Sequence, residues 1–136
     1  MSYPTVTPNQ VGQTKVFTKA ITSAANAGDV TVATILSNGC LIKRVNVRSN
    51  GATTADLTSI GVYAGAGKVI TLIDSATGVR ANLAAADQQV GYSPDGGIVL
   101  AATKTIVITL TGAGATAVDL TVTVEYEACV TGGYLA

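Results

Sequence analysis

The feature that most constrains the fold is a regular alternation of apolar and polar residues near the C-terminal end. Between residues 105 and 111, and again between 118 and 127, almost every second residue is Val, Ile or Leu, with Thr, Asp or Glu between them. A Gly-Ala-Gly-Ala segment separates the two runs. Because side chains alternate between the two faces of a strand, this pattern predicts two strands, each with one buried face.

Six further segments rich in β-branched residues are predicted as strands: 15–22, 30–36, 40–49, 57–64, 68–74 and 98–101. Asn38-Gly39 lies between the second and the third, and Asn-Gly between apolar runs is a strong hairpin signal. Strands do not alternate with helices. The sequence therefore predicts an all-β fold, an eight-stranded antiparallel β-sandwich, and the strand count favours a jelly roll over an immunoglobulin-like sandwich.

Three local predictions accompany this fold. Residues 82–89 are the only good helical stretch, with Asn82 as a possible N-cap. The apolar run 68–74 is predicted to be buried on both faces. Alternation in the third strand predicts two faces: Leu41, Val45 and Val47 on one, and Ile42, Arg44, Asn46 and Arg48 on the other. The second of these faces is predicted to be cationic.

The terminal segments differ from the central part of the chain. Residues 1–14 contain two prolines and few large apolar groups, so they are predicted as an extended N-terminal arm. Residues 15–130 form the predicted sandwich domain, and 131–136 a polar C-terminal tail. Tyr3, Val6 and Tyr134 lie in the two terminal segments, where we expect them to anchor those segments on a neighbouring molecule.

Charge is balanced overall but uneven along the chain. Eight basic residues match eight acidic ones, which leaves no net field for nucleic acid or an anionic membrane. Residues 1–68 carry six basic and two acidic groups, and residues 69–136 carry two and six. Either these charges meet across neighbouring strands of one domain, or they form complementary docking surfaces. On the second alternative Arg44 and Arg48, at positions i and i+4 of one strand, bind a partner's acidic surface.

The composition excludes several kinds of chemistry. The chain has no histidine, so catalytic triads and histidine metal sites are excluded, and we expect a non-enzymatic protein without a cofactor or metal. The segment GVYAGAGK, residues 61–68, lacks the glycine spacing, the Ser or Thr and the following helix of a phosphate-binding loop. The carboxylates Asp119, Glu125 and Glu127 are explained by a solvated strand face.

The start of the chain and its two cysteines indicate a compartment. MSYPTVTPNQ has no basic segment followed by an apolar run, and no window resembles a membrane span. We therefore expect synthesis in a cytoplasm and no membrane partner. Cys40 and Cys129 are expected to be free thiols there.

A short, histidine-free chain rich in Ala, Thr, Val and Gly, with an extended arm and the ending GAGATAVDLTVTVEYEACV, resembles the jelly-roll cement proteins of tailed, especially short-tailed, bacteriophages. The resemblance implies a structural virion protein that is made in the host cytoplasm. It implies binding to the outer capsid surface, where the protein bridges major capsid subunits. It also implies a homo-oligomer, with a homodimer favoured and a homotrimer possible. The residues we expect to carry such contacts are Tyr3, Val6, Arg44, Arg48 and Tyr134.

A different class of function fits the same fold. The chain is alternatively a carbohydrate- or receptor-binding β-sandwich of a phage or bacterial surface appendage. Sugar binding of this kind depends on exposed aromatic side chains, and aromatic residues make up only 4% of the chain. This composition favours the structural hypothesis.

Overall fold

Strands account for most of the regular structure in the computed structural model, which describes residues 13–22, 28–36, 39–51, 57–93, 97–112, 118–129 and 134–136. In chain order they are β1 (Thr14–Ile21), β2 (Gly28–Leu36), β3 (Cys40–Ser49), β4 (Leu57–Ala64), β5 (Ile70–Ile73), β6 (Gln89–Tyr92), β7 (Ile98–Leu100), β8 (Thr105–Gly112), β9 (Leu120–Ala128) and β10 (Tyr134–Leu135). Short 3₁₀ turns occur at Ala66–Lys68 and Arg80–Asn82.

The strands form two antiparallel sheets of five strands each. Sheet A has the order β1-β9-β3, and both β6 and β7 pair with the other edge of β3. Sheet B has the order β10-β2-β8-β4-β5. With β6 and β7 counted as one interrupted strand and β10 set aside, consecutive strands alternate between the two sheets except at the β4–β5 hairpin, which lies within sheet B. This is the strand order of a jelly roll. The predicted all-β jelly-roll sandwich is confirmed.

The core lies between the sheets because the inner face of each strand is apolar. β9 shows this most regularly: every second residue from Leu120 to Ala128 is buried, and the residues between them are partly exposed. β8 repeats the pattern with Ile106, Ile108 and Leu110. Burial of this apolar surface supplies most of the favourable free energy of folding.

A β-bulge in β3 changes the predicted faces at the start of that strand. The register with β9 shifts between Ile42 and Arg44, so that Lys43 is an extra residue. An extra residue reverses the alternation on one side of the bulge. Ile42 is therefore fully buried with Val45, whereas the prediction placed it on the outer face beside Arg44.

The predicted helix over 82–89 is wrong. Residues 80–82 form a 3₁₀ turn, the chain then bends, and β6 begins at Gln89. Asn82 is not an N-cap, since its side-chain amide donates to the carbonyl of Thr77. Leu83 is fully buried, and the strand pairing of Gln89 with Arg48 ends the segment. These long-range contacts outweigh the helical propensity of the Ala-rich run.

Two other details differ from the sequence prediction. β5 covers only residues 70–73 and is an edge strand, so Leu72 and Ile73 are buried while Val69 and Thr71 are exposed. The run is therefore not buried on both faces.

Residues 134–136, assigned by the sequence to a polar tail, include β10, which pairs with β2 and buries Leu135.

We expect the close approach at Gly78 to make Gly78→Ala strongly destabilising. The amide of Ile60 donates to the carbonyl of Gly78 at 2.8 Å, and a Cβ at Gly78 would overlap the Ile60 carbonyl oxygen. The free energy of unfolding should fall by about 2 kcal/mol. Gly51→Ala is the control, because a Cβ there meets nothing within 4 Å. Chemical denaturation checks both, and equal stability of the two variants would contradict the packing argument.

The two cysteines should differ in reactivity. Both thiols are free, Cys40 is buried and Cys129 is half-buried. Burial, followed by the neighbouring Cys129, raises the pKa of the Cys40 thiol to about 11. At pH 8 only about one Cys40 thiol in a thousand is then the nucleophilic thiolate.

Iodoacetamide at pH 8 should therefore modify Cys129 first, as followed by mass spectrometry of peptides. In denaturant both cysteines should react at similar rates, which serves as the control. Modification of Cys40 as fast as Cys129 in the folded protein would show that the thiol is not protected.

Candidate interaction surface

The outer face of sheet A carries most of the polar side chains that the sequence singled out. Arg44, Asn46 and Arg48 alternate along β3 with the buried Val45 and Val47. Their register partners on β9 are Glu125, Thr123 and Thr121 respectively. The sequence prediction that Arg44 and Arg48 share one face is confirmed, and the bulge at Lys43 adds a third cation on this side.

Each of these three cations is paired with an acid. Arg44 Nε lies 3.7 Å from Glu125 Oε2, and Lys43 Nζ lies 3.3 Å from Glu127 Oε1. Arg48 forms an ion pair with Asp87. The face is therefore locally neutral and not cationic as predicted. Basic residues from the first half of the chain thus pair with acidic residues from the second half within one domain.

These pairs remain accessible to a partner. The side chains of Arg44 and Arg48 are 57% and 46% exposed. Exposed ion pairs of this kind contribute about 0–1 kcal/mol each, because water screens both charges. A partner that offers a better-placed carboxylate can exchange with them at little cost to the fold.

Asp87 is the residue that sequence reasoning missed. It lies in the segment predicted as a helix, and its backbone φ of 69° is in the left-handed region. Its amide donates to the carbonyl of Ser49 at 2.8 Å, which holds the carboxylate beside Arg48. No local sequence signal marks Asp87, because its partner lies on another strand.

A shallow polar groove of about 310 Å³ runs between these side chains. Its lining includes Arg44, Asn46, Gln89, Thr121 and Thr123. Asn46 Nδ2 donates to Gln89 Oε1 at 3.0 Å, so the groove presents amide, hydroxyl and guanidinium groups. The arrangement suits hydrogen bonding to a polar surface.

The glycine-rich turn before β5 uses its lysine within the chain. Lys68 Nζ lies 3.0 Å from Asp29 Oδ1 and 5.5 Å from the centre of the Tyr63 ring. A hydrogen bond from Thr109 and the neighbouring Lys68 lower the pKa of Asp29. Lys68 therefore fastens this turn to the outer face of sheet B.

The remaining predicted contact residues are only partly located. Tyr3 and Val6 lie outside the described residues. Tyr134 lies in β10 opposite Leu36, at the edge of sheet B and away from the arginines on sheet A. The structure thus brings Arg44 and Arg48 together but does not place Tyr134 with them.

Within the described ranges, no three Cys, Asp or Glu side chains are grouped so as to hold a metal ion. No helix in that part of the chain is long and apolar enough to cross a membrane.

Comparison with known proteins finds similarity at the level of structure. No family model matches the sequence, and no curated protein matches it. A chain of the acid-stable capsid of Helicobacter pylori bacteriophage KHP30 has a TM-score of 0.58 at 13% identity, covering 96% of this chain and 98% of that one. A chain of the cyanophage Pam1 capsid has a TM-score of 0.56 at 18% identity, covering 93% and 91%. The chain thus shares its jelly-roll fold with chains of two bacteriophage capsids.

Proposed function

We propose that this chain is a non-enzymatic structural protein of a bacteriophage virion, bound to the outer capsid surface, where it bridges major capsid subunits and stabilises the shell. The observation that carries the proposal is the jelly-roll fold, which is shared with two phage capsid chains over nearly the whole length of each partner. The protein is made in the host cytoplasm and acts without a cofactor.

The size of the matching chains supports this role. Because the likeness covers 98% and 91% of them, they too are small chains that consist of one jelly roll. A single sandwich of this size encloses little space and has few buried polar groups in its described part, where Ser49 and Ser59 are the ones found. Such a molecule is suited to presenting surfaces to neighbours rather than to enclosing a substrate.

The contacts are proposed at three places. Arg44 and Arg48 exchange their exposed intrachain partners for acidic groups of the major capsid protein. Tyr3 and Val6 on the N-terminal arm, and Tyr134 at the C-terminal end, hold a neighbouring subunit through apolar contacts. The protein acts as a homo-oligomer, for which a homodimer is favoured over a homotrimer.

The carbohydrate-binding alternative has less support. Sugar recognition by a β-sandwich uses aromatic rings against which the sugar stacks, and the described lining of the polar groove contains none. Tyr63 lies on the opposite sheet beneath Lys68. Binding to a glycan array with no binding to capsid shells would reverse this preference.

The arginine contact predicts that Arg44→Glu with Arg48→Glu weakens binding to shells assembled from the major capsid protein of the same virus. Co-sedimentation should show at least a roughly tenfold loss of affinity, about 1.4 kcal/mol. Binding of the unaltered protein should also weaken with salt, since the Debye length falls from about 30 Å at 0.01 M to about 3 Å at 1 M.

A charge-exchange variant separates binding from folding. Arg44→Glu with Glu125→Arg keeps an ion pair between β3 and β9 but moves the cation to another strand. It should unfold like the original protein and still bind shells poorly. If the double glutamate variant bound shells as the original protein does, the arginines would not be part of the interface. Failure of the original protein to bind shells would contradict the capsid role itself.

A further inference from the structure

An apolar groove of about 470 Å³ lies at one end of the sandwich, between the turn that precedes β5 and the strand β7. Val69 is 76% exposed and Val99 is 66% exposed, and both line the groove. Its other lining residues are Gly65, Ala66, Ile70, Leu100, Ala101 and Lys104. The groove is separate from the polar groove on sheet A, which has a different lining.

The exposure of these two valines is unusual for this molecule. In the described part of the chain, Val16, Val69 and Val99 are the large hydrophobic residues that are strongly exposed, and two of the three line this groove. Exposed apolar side chains that cluster in a concave site indicate a surface that a partner molecule or chain segment covers when the protein functions.

β1, which follows the N-terminal arm, begins close to the groove. Thr14, the first residue of β1, lies opposite Glu127 on β9. Glu127 lies opposite Leu41 on β3, and Leu41 lies opposite Val99 on β7. These four residues form one row across sheet A. At about 4.8 Å between strands, three steps place Thr14 about 14 Å from Val99. Residues 1–12 can span roughly 40 Å when extended, so the groove is well within their reach.

The arm has the chemistry that the groove accepts. Residues 1–12 contain no charged side chain, and they carry Tyr3, Val6 and Val11 as apolar groups. Pro4 and Pro8 each fix one backbone dihedral, which favours an extended segment and lowers the entropy lost on binding. A segment without charged side chains and with spaced apolar groups matches a groove in which Lys104 is the one charged lining residue and the others are Gly, Ala, Val, Ile and Leu.

The direction of β1 selects a second molecule as the source of that arm. β1 begins at the groove end of the sandwich and runs away from it, at the opposite edge of sheet A from β7. To enter its own groove, an arm stiffened by two prolines would have to turn across the end of the sheet just before Thr14. The groove of a second copy that lies beyond this end can be reached without that turn, and reciprocal exchange of arms between two copies closes a symmetric dimer.

We propose that the Val69–Val99 groove binds the N-terminal arm of a second copy of this chain, with Tyr3 and Val6 as the inserted side chains. The inference deepens the proposed function, and rests on its assignment of the arm to subunit contacts, by making the arm's partner another copy of the same protein. Arm exchange then builds the oligomer that binds the shell.

The test uses two variants and no capsid. One lacks residues 2–12 and keeps the groove; the other carries Val69→Asp with Val99→Asp and keeps the arm. Both valines are exposed, so the substitutions should leave folding intact, as checked by circular dichroism and thermal unfolding. Val16→Asp is the matched control, since Val16 is 60% exposed on β1 and is not among the groove residues.

Sedimentation equilibrium over a range of concentrations should give a dimer for the original protein and for Val16→Asp. Each of the two variants alone should dimerise at least tenfold more weakly. An equimolar mixture of them should restore association as a one-to-one pair, because one member supplies an arm and the other a groove.

The proposal is overturned if the original protein remains monomeric, if either variant dimerises like the original, or if the mixture fails to associate. If the arm bound in the groove of its own chain, the original protein would remain monomeric. Because no shell is present, the result is independent of the capsid role: a protein that dimerises through its arm but does not bind shells would contradict only the proposed function.

Discussion

The pairing of β3 with β9 is the interaction on which the rest of the structure depends. It holds Cys40 opposite Ala128 and Ser49 opposite Leu120, residues that are far apart in sequence. β1 is attached to the other edge of β9, and both β6 and β7 are attached to the other edge of β3. Sheet A is therefore built around this one pair. Its inner face, with Val45 and Val124 opposite each other, also forms one wall of the core.

The same pairing determines what sheet A presents to the outside. Regular alternation on β9 leaves threonines and glutamates on the outer face, and the bulge on β3 sets Lys43 and Arg44 beside Glu127 and Glu125. The two halves of the chain carry opposite net charge, and on this face their charged residues form neighbouring ion pairs. These pairs are exposed and weak, so they constrain the fold little and stay open to exchange with a partner.

Different parts of the surface therefore have different chemistry. The outer face of sheet A is polar and self-neutralised, and sheet B carries the Lys68–Asp29 pair beside Tyr63. The apolar groove lies at the end of the sandwich where β1 begins. A protein that holds neighbours by polar contacts on one face and apolar contacts at one end can bridge two different partners. This division agrees with the proposed structural role.

The sequence by itself determined the features that depend on local alternation. Strands β8 and β9, the exposed positions of Arg44 and Arg48, and the all-β class follow from side-chain periodicity, which acts within a few residues. The hairpin predicted from Asn38-Gly39 is wrong, because β2 and β3 lie in different sheets. Only the tertiary structure decided the bulge at Lys43, the loss of the predicted helix, the partner of Arg48 at Asp87 and the addition of β10. Each of these depends on a contact between residues far apart in the chain, where burial and strand pairing outweigh local preference, and local pattern carries no information about such a partner.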